Sequence, residues 1–82
     1  MIVETTRTQE FQGISYDATH GSPFDRGSAD SWYGRPQQPH KYPNGTGNAP
    51  RVESSDMTLA EMRAYYKGYE YNEQFGGKKD YD

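Results

Sequence analysis

Cysteine is absent from this 82-residue chain, and with it go disulfides, thiolate metal sites and cysteine nucleophiles; the absence suits a reducing compartment. Histidine is scarce. His20 and His40 stand far apart in loop-like sequence, whereas zinc takes closely spaced ligands at fixed intervals, so no metal site is expected. No strained nucleophile turn or oxyanion motif supports a catalytic centre, and neither a cofactor nor a small-molecule substrate is implied. No apolar run approaches the ~18 residues of a membrane span, and Met1-Ile2-Val3-Glu4 does not start like a secretory leader. The expectation is a cytoplasmic protein with no membrane partner. Asn44-Gly45-Thr46 then reads as an Asn-Gly turn rather than a glycosylation site.

Branched aliphatics are almost missing: Ile2, Val3, Ile14, Val52 and Leu59 are all there are. Hydrophobic residues make up 30% of the chain and aromatics 15%, so half of any core must be rings. Ordering each residue costs roughly 1–2 kcal/mol of backbone entropy, and so few apolar side chains imply that a sizeable part of the chain is loop or tail. The net charge of −3 gives no global pull toward nucleic acid, and a polyanionic partner would need a local patch.

What is present divides the chain into segments. Residues 1–21 alternate weakly; Ile2–Thr8 is β-prone, but nothing nearby offers an obvious partner, so the segment reads as a flexible arm or an edge strand. A first helix is predicted over about 22–34, with Ser22 as N-cap, Pro23 at the first helical position, Asp25 facing the free backbone N–H groups, and Gly34 as the stop. Residues 36–56 hold four of the five prolines, with Gly45 and Gly47, and read as a long Pro/Gly loop. A second helix is predicted over about 58–76. Thr58 and Glu61 form a capping box, Met57 and Met62 a hydrophobic staple, and Leu59, Met62, Tyr66 and Tyr69 one face. Gly76-Gly77 end it, Lys78 and Lys79 suit the negative end of its dipole, and residues 77–82 form a tail. Gly27 and Gly68 each weaken their helix by roughly 1 kcal/mol relative to alanine. Two helices crossing where these small residues meet would explain both.

Flat rings and cations concentrate around the end of the first helix. Trp32, Tyr33 and Arg35, with Tyr42, Tyr65 and Tyr69, are the candidate partner-binding residues, since Trp, Tyr and Arg dominate binding hot spots. Arg26, Arg35 and Lys41 are the candidate RNA contacts, because cations mixed with rings can hold phosphates while stacking bases. The tyrosines of the second helix exceed what one helix can bury, and a homodimer is one way to cover them.

The block Asp25-Arg26-Gly27-Ser28-Ala29-Asp30, with Tyr33-Gly34-Arg35, Pro39-His40 and a Tyr66-Lys67-Gly68-Tyr69 helix, resembles a family of small bacteriophage proteins. More distantly it is similar to the ribosome modulation factor family, through Arg26-Gly27, Gly34-Arg35, the reversed Tyr42-Pro43 step and the aromatic pair around Gly68. The resemblance spans about residues 22–75. It implies a short two-helical protein of a bacterial host cytoplasm whose target is a host macromolecule, either a host protein or the ribosome and its RNA. The expected fold is thus mainly α: two short packed helices, a long loop, a flexible N-terminal arm and a C-terminal tail. The expected function is non-enzymatic occlusion or modulation of a host macromolecule, as in host takeover or inhibition of a defence. Ribosome binding is the alternative.

Overall fold

The computed structural model describes residues 7–45, 48 and 50–79. Two helices, α1 (Pro23–Trp32) and α2 (Leu59–Tyr71), are accompanied by two small antiparallel sheets: β1 (Thr8–Phe11) with β2 (Ile14–Asp17) before α1, and β3 (His40–Lys41) with β4 (Val52–Glu53) between the helices. A 3₁₀ turn, Ser54–Asp56, precedes α2, and a π-helical turn, Asn72–Gly76, follows it. The architecture is therefore α+β, which corrects the mainly α expectation at two places.

The first correction is in the arm. Gln12 (φ 54°) and Gly13 (φ 78°) form a two-residue turn with both central residues left-handed, the geometry that matches the twist of flanking strands. It pairs Phe11 with Ile14 and Thr8 with Asp17. Phe11 and Tyr16 thereby turn inward and cover Phe24 of α1, with the Tyr16 and Phe24 rings stacked at 5.1 Å. The partner of β1 is the next segment of the same arm. Most of the β-prone stretch Ile2–Thr8 lies outside the described residues. The second correction is in the loop: His40 pairs with Glu53 and Lys41 with Val52, so its two ends are held together.

Both helices start on the caps that the sequence marks. Ser22 Oγ accepts from the Asp25 amide at 3.3 Å, and Asp25 returns a carboxylate oxygen to the Gly21 amide at 2.9 Å. Thr58 and Glu61 exchange both bonds of a capping box, at 3.1 and 2.9 Å. Lys78 and Lys79 differ from expectation. They do not extend past α2 as a loose tail but return to the carbonyl end of α1, where Lys78 Nζ donates to the Ser31 carbonyl at 2.9 Å and the Lys79 amide to the Trp32 carbonyl at 2.7 Å. Asn72 supports this return, its side-chain amide donating to Ser31 Oγ and to the Gly77 carbonyl, each at 2.9 Å.

The helices cross at Gly27 and Gly68. A Cβ on Gly27 would overlap the Tyr65 carbonyl oxygen and lie 2.9 Å from the Tyr69 nitrogen. A Cβ on Gly68 would overlap the Phe24 carbonyl oxygen and lie 2.9 Å from the Phe24 Cα. Each glycine thus meets the carbonyl of the residue three positions before the other. Backbone approach this close admits Cα–H···O contacts and no side chain.

Candidate functional site

On α1, Arg26 and Asp30 are one turn apart and project together from the face that β3 covers. Asp30 is buried, and its two carboxylate oxygens are used differently. Oδ2 accepts from the Tyr65 hydroxyl of α2. Oδ1 lies 4.0 Å from the Arg26 and 3.6 Å from the Arg35 guanidinium. The Tyr65 oxygen also accepts from the Gln38 amide at 2.9 Å, so one phenol ties both helices to the loop.

His40 sits 1% exposed beside this group, and its tautomer follows from its neighbours. Arg26 Nε can only donate, and it reaches His40 Nε2 at 3.0 Å, so Nε2 is unprotonated. Nδ1 carries the proton and donates to the Gln38 carbonyl at 2.7 Å, leaving Asp30 Oδ2, at 3.8 Å, beyond hydrogen bonding. Burial pushes the His40 pKa down, and Arg51 and Arg26 add to the fall, against opposition from the Gln38 carbonyl and Asp30. Burial raises the Tyr65 pKa, and the hydrogen bond to Asp30 raises it further. Both groups therefore stay neutral at pH 7. The cluster is a ring of fixed polar contacts around Asp30.

The surface at the end of α1 is of another kind. Trp32 and Tyr33 are 39% and 38% exposed. The Arg35 guanidinium lies 4.7 Å from the Tyr33 ring centroid and the Lys79 ammonium 5.7 Å from it, while Lys78 is 5.9 Å from the Tyr69 ring. The Tyr69 hydroxyl donates to the Arg35 carbonyl at 2.6 Å, which fixes the chain just after α1 against α2. Lys78 also pairs with Glu73, which holds that carboxylate below the usual range. Rings and cations are gathered on one edge by the return of the chain after α2.

The sequence-predicted residues divide between these two settings. Trp32, Tyr33, Arg35 and Tyr69 share the edge. Tyr65 is wholly buried and spends its hydroxyl internally, so it positions the other residues and cannot touch a partner. Tyr42 is half-buried, packed edge-on to His40 and under the Arg26 guanidinium at 5.4 Å. Of the RNA candidates, Arg26 is buried and held by His40, and Lys41 is paired with Glu61, lowering that carboxyl's pKa. Arg35 alone of the three stays open, with 54% of its side chain exposed. Sequence reasoning missed the role of His40, Gln38 and Arg51, which line one cleft with Asp30. The Arg26–Asp30 spacing of one helical turn was the one available signal.

Among the described residues no three His, Cys, Asp or Glu side chains gather as a metal would need, and no helix is long and apolar enough to cross a membrane. No known protein family, curated protein or solved structure matches the chain.

Proposed function

We propose that this is a non-enzymatic binding protein that occludes or modulates a macromolecule of a bacterial host cytoplasm, and that its partner is a protein. The carrying observation is the edge formed by Trp32, Tyr33, Arg35 and Tyr69, where the part-exposed Trp32 ring adjoins the Tyr33 and Tyr69 rings that lie beneath cations. These are the residue types that dominate protein hot spots, and their rigid rings give up little entropy on binding. The likeness of the Asp25–Arg35 block to small bacteriophage proteins supports a host target. The buried polar cluster serves this edge by fixing where α1 ends and where Arg35 leaves it.

Ribosomal RNA is the second reading, favoured by Lys78 and Lys79 joining Arg35 over tyrosine rings. It has fewer exposed cations to draw on than the sequence suggested, because Arg26 is largely buried and Lys41 pairs with Glu61. Salt and nuclease separate the two. A complex captured from bacterial lysate by the full chain should survive nuclease and weaken little between low and moderate salt. Loss on nuclease treatment, with the steep salt dependence that phosphate contacts impose, would replace the protein partner by RNA.

A further inference from the structure

Beside the aromatic edge lies a cleft of about 380 Å³, lined by Arg26, Asp30, Arg35, Gln38, His40 and Arg51. Asp30 is its most buried carboxylate, 3% exposed, and three guanidinium groups share the lining. Their donors are unequally used. Arg51 gives Nε to Glu53 at 2.6 Å and an amino group to Gln38 Oε1 at 3.3 Å. Arg26 has only 10% of its side chain exposed, yet it spends Nε alone, on His40. Among the described residues, its terminal amino groups make no hydrogen bond, and neither does the Arg35 guanidinium; the anion nearest to both is Asp30 Oδ1, at 4.0 and 3.6 Å. Among the described residues the one buried side-chain polar atom without a partner is the Tyr16 hydroxyl. The Arg26 amino groups, on a side chain nine-tenths buried, are therefore open only toward solvent in the cleft, where an acceptor from outside can reach them.

We infer that this cleft receives one carboxylate of the protein partner, an acidic side chain or a chain terminus, which accepts from Arg26 and Arg35 on the side opposite Asp30. The inference rests on the binding-protein reading and names what the partner presents. Charge selects the ligand. Arg26, Arg35 and Arg51 supply three positive charges, Asp30 and Glu53 remove two, and the one left matches a singly charged oxyanion rather than a dianionic phosphate monoester. Two guanidinium forks facing one site suit the planar carboxylate, which takes parallel N–H···O bonds. A phosphodiester carries the same single charge but comes in a chain of charges that needs a continuing basic track. Here the nearby lysine of β3, Lys41, is already neutralised by Glu61. Arg35 belongs to both the edge and the cleft, so a partner lying across Trp32 and Tyr33 can reach the cleft with an acidic group.

The experiment is an NMR titration of the isotopically labelled full chain at pH 7 with acetate, dimethyl phosphate and chloride at matched ionic strength. It follows the Nε–H signals of Arg26 and Arg35. Acetate should shift both saturably, with a dissociation constant on the order of 10 mM for so small a probe, and chloride should not. Arg35→Gln, an exposed change whose folding the amide spectrum verifies, should weaken acetate about tenfold, the loss of one charged donor set. Acetate behaving like chloride would remove the cleft as a site. Dimethyl phosphate binding more tightly than acetate would overturn the carboxylate in favour of a nucleic-acid backbone. No partner enters this titration, so its failure is distinct from failure of the lysate capture.

Discussion

Gly68→Ala should destabilise the protein even though alanine is the better helix former. By propensity alone the change would stabilise α2 by about 1 kcal/mol. At the crossing, however, the new methyl would overlap the Phe24 carbonyl oxygen, with the Phe24 carbonyl carbon 2.8 Å and its Cα 2.9 Å away. These are backbone atoms of α1, so no rotamer change can relieve the overlap and the helices must separate. Overpacking of this kind costs about 1–3 kcal/mol where side chains can adjust, and more where a helix must move as a body. The separation also pulls Tyr65 from Asp30, which adds part of a buried hydrogen bond. Against the propensity gain, the net loss is about 2–4 kcal/mol, or a fall in Tm of roughly 10–20 °C for a domain of this size. Thermal and urea unfolding followed by circular dichroism measure it. Gly27→Ala should behave alike, because it meets the Tyr65 carbonyl, and the double variant should cost less than the sum because both changes open one crossing. A Gly68→Ala protein as stable as the parent, or more so, would refute the crossing.

Two further outcomes follow from the buried polar cluster. Tyr65→Phe leaves Asp30 Oδ2 without its buried donor and the Gln38 amide without an acceptor, and should cost about 2–3 kcal/mol in urea unfolding; a loss under about 0.5 kcal/mol would mean that water replaces the phenol freely. Acid should weaken the fold through His40, whose pKa lies below its ordinary 6.5 in the folded protein. The unfolded chain then binds the extra proton first, so this contribution is complete above about pH 6.5 and is lost as pH falls from there through the lowered folded value. The groups facing the ring are Arg26, Asp30, Arg51 and the Gln38 carbonyl; a second cation beside Arg26 would break the Arg26–His40 bond. Stability measured from pH 7.5 to pH 5 should fall in the parent and flatten in His40→Gln, and equal slopes would remove His40 from the account.

The helices were readable because their signals are local. Ser22-Pro23 and Thr58-x-x-Glu61 act within one turn, and a glycine inside a short helix is costly enough to require a reason. The hairpin was not readable, because its turn places a glutamine at φ 54° before Gly13, where asparagine or aspartate would have advertised it. Two-residue strands such as β3 and β4 carry no periodicity at all. The aromatic edge was legible because Trp32, Tyr33 and Arg35 are neighbours in the chain. Its lysines and the cleft were not, since Asp30 meets Tyr65 across 35 positions and Lys78 meets Ser31 across 47. Such contacts exist only once the helices have crossed and the chain has returned.

The claim that the edge at the end of α1 is the binding surface is tested most directly by capture with paired variants. The full chain, Trp32→Ala and Leu59→Ala are immobilised in equal amounts and exposed to nuclease-treated bacterial lysate, and bound proteins are quantified by mass spectrometry. Leu59 is more exposed than Trp32 but lies at the start of α2, outside the edge, so its truncation is the matched apolar control. The account predicts a discrete partner retained by the parent and by Leu59→Ala and lost about tenfold or more with Trp32→Ala, the scale of a hot-spot residue. Equal retention by all three, with Trp32→Ala as well folded as the parent, would contradict it.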